Sequence, residues 1–292
     1  MLATILQKKK NTNIMNKLTV ILLLVTLSIN AQTTLKYDKR NVQCEDKWIA
    51  IQMNQDSNYV YGFIYIDLQA GLTLNYEGTF KIINNVFIKQ KEDVTSLKIR
   101  LEPNRIAIAE IPEDRFKELG IKKIPEWLKF YKGDENSIER LYRLGYMYNG
   151  WDECAKALTY LEKAKKINPN YKGLEVELAY SYNCLSQYDK AIVALQNILA
   201  ANPSDAYANK ELIYALISAG QLDKAAESCK KALRICSDKT YNGENYFNLL
   251  QEFYLRKDKV NFNLWLSEAK QLTCSNAILT QNIKKMENEL SK

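Results

Sequence analysis

Two hydrophobic rhythms divide the chain. Between residues 36 and 111 apolar positions alternate with polar ones or gather in short aromatic and β-branched blocks. Residues 59–66 read YVYGFIYI, residues 98–101 KIRL and residues 105–108 RIAI, and residues 79–88 give a further apolar stretch. That pattern predicts strands. From residue 137 the apolar spacing changes to threes and fours, the mark of helices packed on one face. A longer period lies over it. Leu144, Leu178 and Leu212 are 34 residues apart, as are Ala157, Ala191 and Ala225, and as are Pro169 and Pro203. A repeat of this length predicts stacked helical hairpins.

Turn signals at residues 69–71, 76–78 and 103–104 cut the first region into five to seven short antiparallel strands, expected to form a small sandwich or a partly open barrel. Pro112 then opens a short helix, and Pro125 a second whose aromatic residues could pack the β region against the first hairpin. The acidic residues Glu45, Asp46, Asp56, Asp67 and Glu77 read as solvated strand ends rather than a calcium or glycan site.

Each element of the 34-residue pattern has a physical role. Small Ala157, Ala191 and Ala225 let two helices approach, and Leu144, Leu178 and Leu212 fill the space between them. Asp189 and Asp223 are expected to cap the second helices, which Pro169 and Pro203 end. A single hairpin cannot bury its apolar face, whereas three or more stacked ones can. The run Leu141, Leu144, Gly145, Tyr148, Ala157, Leu161, Ala164, Pro169 resembles the tetratricopeptide repeat. Leu178, Ala179, Tyr182, Ala191, Leu195 and Pro203 carry it in a second unit, and Leu212, Leu216, Ala225, Cys229 and Ala232 in a third. Leu141, Glu175 and Asn209 stand where the family has Trp, and Ser237 replaces the third Pro. A degenerate fourth unit keeps Leu249, Phe253, Phe262, Leu266 and Ala269 in order. Bulky Phe262 in place of Ala should separate its helices or shift their register. Leu279, Ile283, Met286 and Leu290 form one stripe of a closing helix, with Lys284, Lys285, Glu287 and Glu289 turned away.

The expected architecture is α+β: a small N-terminal antiparallel β domain, then a right-handed helical solenoid of three clear repeats, one degenerate repeat and a capping helix. The boundaries are a leader at 1–31, the β domain at 36–111, a connector at 112–136, repeats at 138–171, 172–205, 206–239 and 243–274, and the cap at 275–292. The resemblance implies a concave surface formed by the first helices. It carries Tyr142, Tyr146 and Asn149 in the first unit, Val176, Tyr180 and Asn183 in the second, and Lys210, Tyr214 and Ile217 in the third. Phe247, Gln251 and Tyr254 would continue it. Tyr146, Tyr180 and Tyr214 would form a ladder, with Asn149 and Asn183 beside it to bond an extended peptide; the alternative is that the tyrosines pack within the chain. Tyr142 and Tyr146 fill the places where clamp-bearing relatives grip a terminal carboxylate, so no such clamp is expected. On the same frame Cys154 and Cys184 lie at one edge of the stack, and Cys236 and Cys274 end consecutive second helices. Both pairs are disulfide candidates if their Cα atoms come within about 7 Å. Cys229 is expected in the core. That all six cysteines stay reduced remains open.

Composition narrows the function. The 292 residues contain no histidine, which excludes a Ser-His-Asp triad and any His-ligated metal site. No cofactor, metal or catalytic residue is expected. The net charge of +7 includes Lys8, Lys9, Lys10 and Lys17 of the leader; the rest carries 37 basic and 34 acidic residues, too even for a nucleic-acid binder. Residues 18–29 form a 12-residue apolar run after these lysines and before Ala31, the order of a secretory signal peptide. Export to the periplasm or medium is therefore expected, with no membrane span after cleavage; an uncleaved anchor is the alternative. The resulting expectation is an exported, non-enzymatic scaffold or adaptor holding a protein or peptide in its helical groove. The alternative is a cell-envelope or carbohydrate-binding protein that uses the β domain, with the repeats as spacer.

Overall fold

In a computed structural model the described residues are 35–53, 58–90, 97–103, 106–269 and 277–290. The expected leader and Cys274 lie outside them. The chain divides after Leu128 into two compact units, so the expected connector is shared between them. The fold is α+β.

The first unit holds one seven-stranded sheet instead of a sandwich. Its strands are β1 (Tyr37–Lys39), β2 (Lys47–Gln52), β3 (Asn58–Asp67), β4 (Gly71–Ile83), β5 (Val86–Lys89), β6 (Leu97–Arg100) and β7 (Ile108–Glu110). The order is β1-β7-β2-β3-β4-β5, with β6 also pairing β4. Strand β3 is central, and Tyr61 to Ile66 are buried on both faces, which is why its sequence runs apolar without alternation. One face is aromatic. Trp48 meets Phe63 edge-on at 5.2 Å, Phe80 stacks on Phe87 at 4.8 Å, and Trp127 closes on Tyr65 and Phe63 at 5.2 and 5.8 Å. Trp127 thus belongs to the core of this unit. On the other face Gly62 is required, because a Cβ there would come within 2.8 Å of Leu74.

Two turn readings need correction. Residues 76–78 lie inside the 13-residue strand β4. The turn falls instead at Asn84-Asn85, both left-handed with φ of 52° and 64°, and it splits the stretch expected as one strand into β4 and β5. Asparagine tolerates that conformation, so an Asn-Asn pair makes a tight hairpin. After Pro112 a helical turn at Glu113–Arg115 leads into α1 (Phe116–Leu119). Glu118 accepts the backbone N–H of Phe87 at 2.7 Å, and Arg115 bonds both Glu118 and the Asn85 carbonyl at 2.9 Å, which covers the β5 edge.

The second unit opens with α2 (Lys129–Lys132) and continues as helical hairpins. The first is α3 (Ile138–Gly150) with α4 (Cys154–Ile167), the second α5 (Leu174–Cys184) with α6 (Tyr188–Ala201), and the third α7 (Ala206–Ser218) with α8 (Leu222–Ile235). A fourth pairs α9 (Asn242–Leu255) with α10 (Lys259–Ala269), and α11 (Ala277–Leu290) follows. Ala157, Ala191, Ala225 and Cys229 are fully buried between helices. Gly145 is needed for the same reason, since a Cβ there would overlap Leu161. Asn168 and Asn202, which precede Pro169 and Pro203, leave the helical region, Asn168 as extended backbone, and stop α4 and α6. Helix α8 ends at Ile235 without a proline, through extended Cys236. Phe262 is fully buried in the place of the small residue.

The capping assignment also changes. Gln187 and Gln221 precede α6 and α8, and neither makes a side-chain cap. Asp189 and Asp223 sit in the first turn, where a negative charge favours the helix dipole. Side-chain caps appear on two first helices, where Ser137 accepts the N–H of Arg140 and Asp205 that of Ala208, and on the second helix α10, where Asp258 accepts the N–H of Asn261.

Candidate protein-binding site

Residues one repeat apart have different fates on the face of the first helices. Tyr146 on α3 and Tyr214 on α7 are 57% and 39% exposed, while Tyr180 on α5 between them is half-buried. The Tyr214 ring meets Tyr188 edge-on at 6.4 Å. Tyr142 leans on Tyr171, with ring centres 5.1 Å apart, and its hydroxyl lies over Gly173. Burial raises the pKa of Tyr142 and of Tyr180, and the carboxylates Glu177 and Glu211 add to the rise at Tyr142 and Tyr180 respectively. Val176 and Ile217 are partly buried against the core.

Asn149 and Asn183 are withdrawn from this face, contrary to expectation. Both are almost fully buried. The Nδ2 of Asn149 donates to Glu177, to its backbone O and to Oε2, each at 2.9 Å, and Oδ1 accepts from Ser181 Oγ at 2.7 Å. Asn183 repeats the first part, donating to Glu211 O at 3.1 Å and to Oε2 at 2.8 Å. At the position of Ser181 the third unit has Ala215, so Asn183 Oδ1 is buried without a partner. These asparagines tie successive first helices together and leave no amide for a peptide.

Lys210 is half-committed in the same way. Its Nζ pairs with Glu211 at 2.6 Å and Glu244 at 3.7 Å, and it lies over the rings of Tyr207 and Tyr241 at 5.1 and 5.9 Å. Helix α11 runs alongside α9, where Phe247 and Tyr254 are partly buried and Gln251 stays exposed. Together with Asn282, Lys285, Met286 and Glu289 of α11 they line one cleft. Tyr254 donates its hydroxyl to Glu289, and Leu279 lies near Gly243 at the start of α9, so the two helices are parallel. Ile283 and Met286 are buried as expected of the stripe, and exposed Glu289 accepts the hydroxyl of Tyr254 on α9.

Cys154 and Cys184 form a disulfide with Cα atoms 6.2 Å apart. Cys44, Cys229 and Cys236 are buried thiols, and Asn209 Nδ2 lies 3.6 Å from Cys236 Sγ. Burial pushes the Cys44 thiol up to about 11. Among the described residues no helix is long and apolar enough to cross a membrane.

Glu177, Ser181, Glu211 and Tyr207 are central to this face yet were not singled out from sequence. A signal for the two glutamates is present: Asn149 and Asn183 each precede one by 28 residues.

No curated protein matches the sequence. Among solved structures the chain is similar to MamA 41-end from Desulfovibrio magneticus RS-1 at 23% identity, covering 52% of this chain and 84% of that one with a TM-score of 0.44. It is also similar to a tetratricopeptide repeat protein from Parabacteroides merdae ATCC 43184, at 13% identity over 60% and 62% of the two chains, with a TM-score of 0.42. Residues 185–235 match the tetratricopeptide repeat family. That match falls on α6 to α8, and the hairpin α3–α4 and helix α5 before it repeat the same Ala- and Pro-marked 34-residue pattern, so these hairpins are of the tetratricopeptide-repeat type.

Proposed function

We propose that this chain is a non-enzymatic interaction scaffold that holds an extended segment of another protein along the first-helix face of its first three repeats. The observation that carries the reading is the outward presentation of Tyr146 and Tyr214 in equivalent places of α3 and α7, with Tyr180 on the helix between. Tyrosine offers a large, stiff contact surface with a polar tip and is frequent at binding hot spots. The asparagine ties hold these first helices in fixed register, which keeps such a surface preorganised.

A photo-reactive residue at Tyr146 or Tyr214 is expected to cross-link the partner in the native cell, whereas one at exposed Val193 on α6 is not. Tyr146→Ala with Tyr180→Ala should keep the thermal midpoint and lose capture of that partner. Retained capture sinks the groove reading.

We further propose that the scaffold works outside the cytoplasm. The leader composition supports this, and so does the Cys154–Cys184 disulfide, a bond favoured in oxidising compartments. N-terminal sequencing of the mature protein should begin after Ala31; a chain that starts at Met1 or Met15 overturns cleavage.

A further inference from the structure

Two glutamates one repeat apart, Glu177 and Glu211, receive the same amide and differ in their cation. Glu211 is tied by Asn183 and neutralised by Lys210, whose ammonium lies between the rings of Tyr207 and Tyr241. Glu177 is tied by Asn149, but the residue equivalent to Lys210 is Val176. Glu177 is 8% exposed, and its Oε1 accepts no hydrogen bond. It forms no ion pair with any described lysine or arginine. Tyr142 and Tyr207 both lie close enough to Glu177 to feel its charge. Tyr207 serves as the ring of the following repeat, as Tyr241 does for Glu211. Gly173, with φ of 84°, replaces the ring of its own repeat, and Tyr142 leans into that space. The carboxyl of Glu177 is correspondingly held above its ordinary range, first by burial, with the Asn149 hydrogen bond opposing and Glu211 adding.

We propose that Glu177, ringed by Tyr142 and Tyr207, receives a lysine or arginine side chain of the bound segment, in the place that Lys210 takes one repeat further on. This rests on the groove reading and specifies its ligand as a basic segment. The chemistry is a charge-assisted hydrogen bond to a carboxylate in a partly dry site, reinforced by cation–π contact. The chain supplies its own precedent for the geometry in the third repeat. A buried carboxylate with an amide but no cation loses free energy on desolvation, and a ligand cation returns it.

The test uses an immobilised library of random 12-residue peptides and the full disulfide-bonded chain. The expected result is that binders carry an obligatory lysine or arginine. Replacing it by norleucine should weaken binding to the wild type about tenfold or more, and should not weaken binding to Glu177→Gln, which keeps the bond to Asn149. A norleucine exchange without effect, or one whose effect persists in Glu177→Gln, overturns the proposal while leaving the groove intact. Peptides that bind wild type and the Tyr146→Ala/Tyr180→Ala variant equally overturn both readings. No peptide bound at all also overturns the proposal.

Discussion

Asn149 on α3 and Glu177 on α5 are joined twice, at the glutamate's backbone carbonyl and at its carboxylate, each at 2.9 Å. One amide thus satisfies a helix carbonyl and a buried charge across a repeat boundary. Asn149→Ala should therefore cost about 2–4 kcal/mol, because the Glu177 carboxylate is left buried without its donor. Urea denaturation measures this, and a loss below about 0.5 kcal/mol would show that the amide is dispensable.

The neighbouring boundary is incomplete, and a single oxygen can mend it. Asn183 Oδ1 lacks the donor that Ser181 provides to Asn149, and Ala215 stands in the equivalent position. Ala215→Ser is expected to raise stability by about 1 kcal/mol, with the new hydroxyl donating to Asn183. An unchanged or lowered denaturation midpoint contradicts this.

Acidity should reveal Glu177. Its folded-state pKa is raised, chiefly by burial, above the unfolded value of about 4.3. The folded protein therefore binds the proton more tightly. The stability linked to this proton is fully present below about pH 4.3 and is lost as pH rises through the folded-state value. Glu177→Gln removes the dependence. Its advantage over wild type should be near zero at about pH 4 and grow towards neutrality. A difference in unfolding free energy independent of pH excludes this account.

Reduction should weaken the first two repeats. The Cys154–Cys184 bridge closes a loop of sequence separation 30, worth about 3–4 kcal/mol by chain entropy. Dithiothreitol should lower the thermal midpoint of the wild type and leave that of Cys154→Ser/Cys184→Ser unchanged. Equal responses would show that the bond contributes nothing.

The tie between Tyr254 and Glu289 holds α11 against α9. Tyr254→Phe should leave the global unfolding midpoint nearly unchanged while speeding amide exchange across 277–290. Unchanged exchange there would show that Ile283 and Met286 suffice.

The repeats were legible because their signals are steric and local. Alanine at a helix crossing and proline after a helix leave few alternatives, and Ala157, Ala191, Pro169 and Pro203 act as their spacing implied. The binding face was legible only in part. Position along a first helix marks which residues point one way, but not which of them a neighbouring helix consumes, and Asn149, Asn183 and Tyr254 were consumed. Burial of a glutamate is invisible to a hydrophobic pattern, so nothing in that pattern marks Glu177 and Glu211. In the sheet, Asn84-Asn85 supplied a turn without glycine, and Gly78 with its neighbours continued a strand. The decisive contacts there are with residues distant in sequence.

The placement of α11 beside Phe247 and Tyr254 sets a ruler inside the molecule. On the scaffold reading, a segment along the first helices would meet the open tyrosines on α3 and α7 and then helix α11, tied to α9 through Tyr254 and Glu289. The proposed surface would then span three repeats and be bounded at that end, so that a longer partner would turn away there.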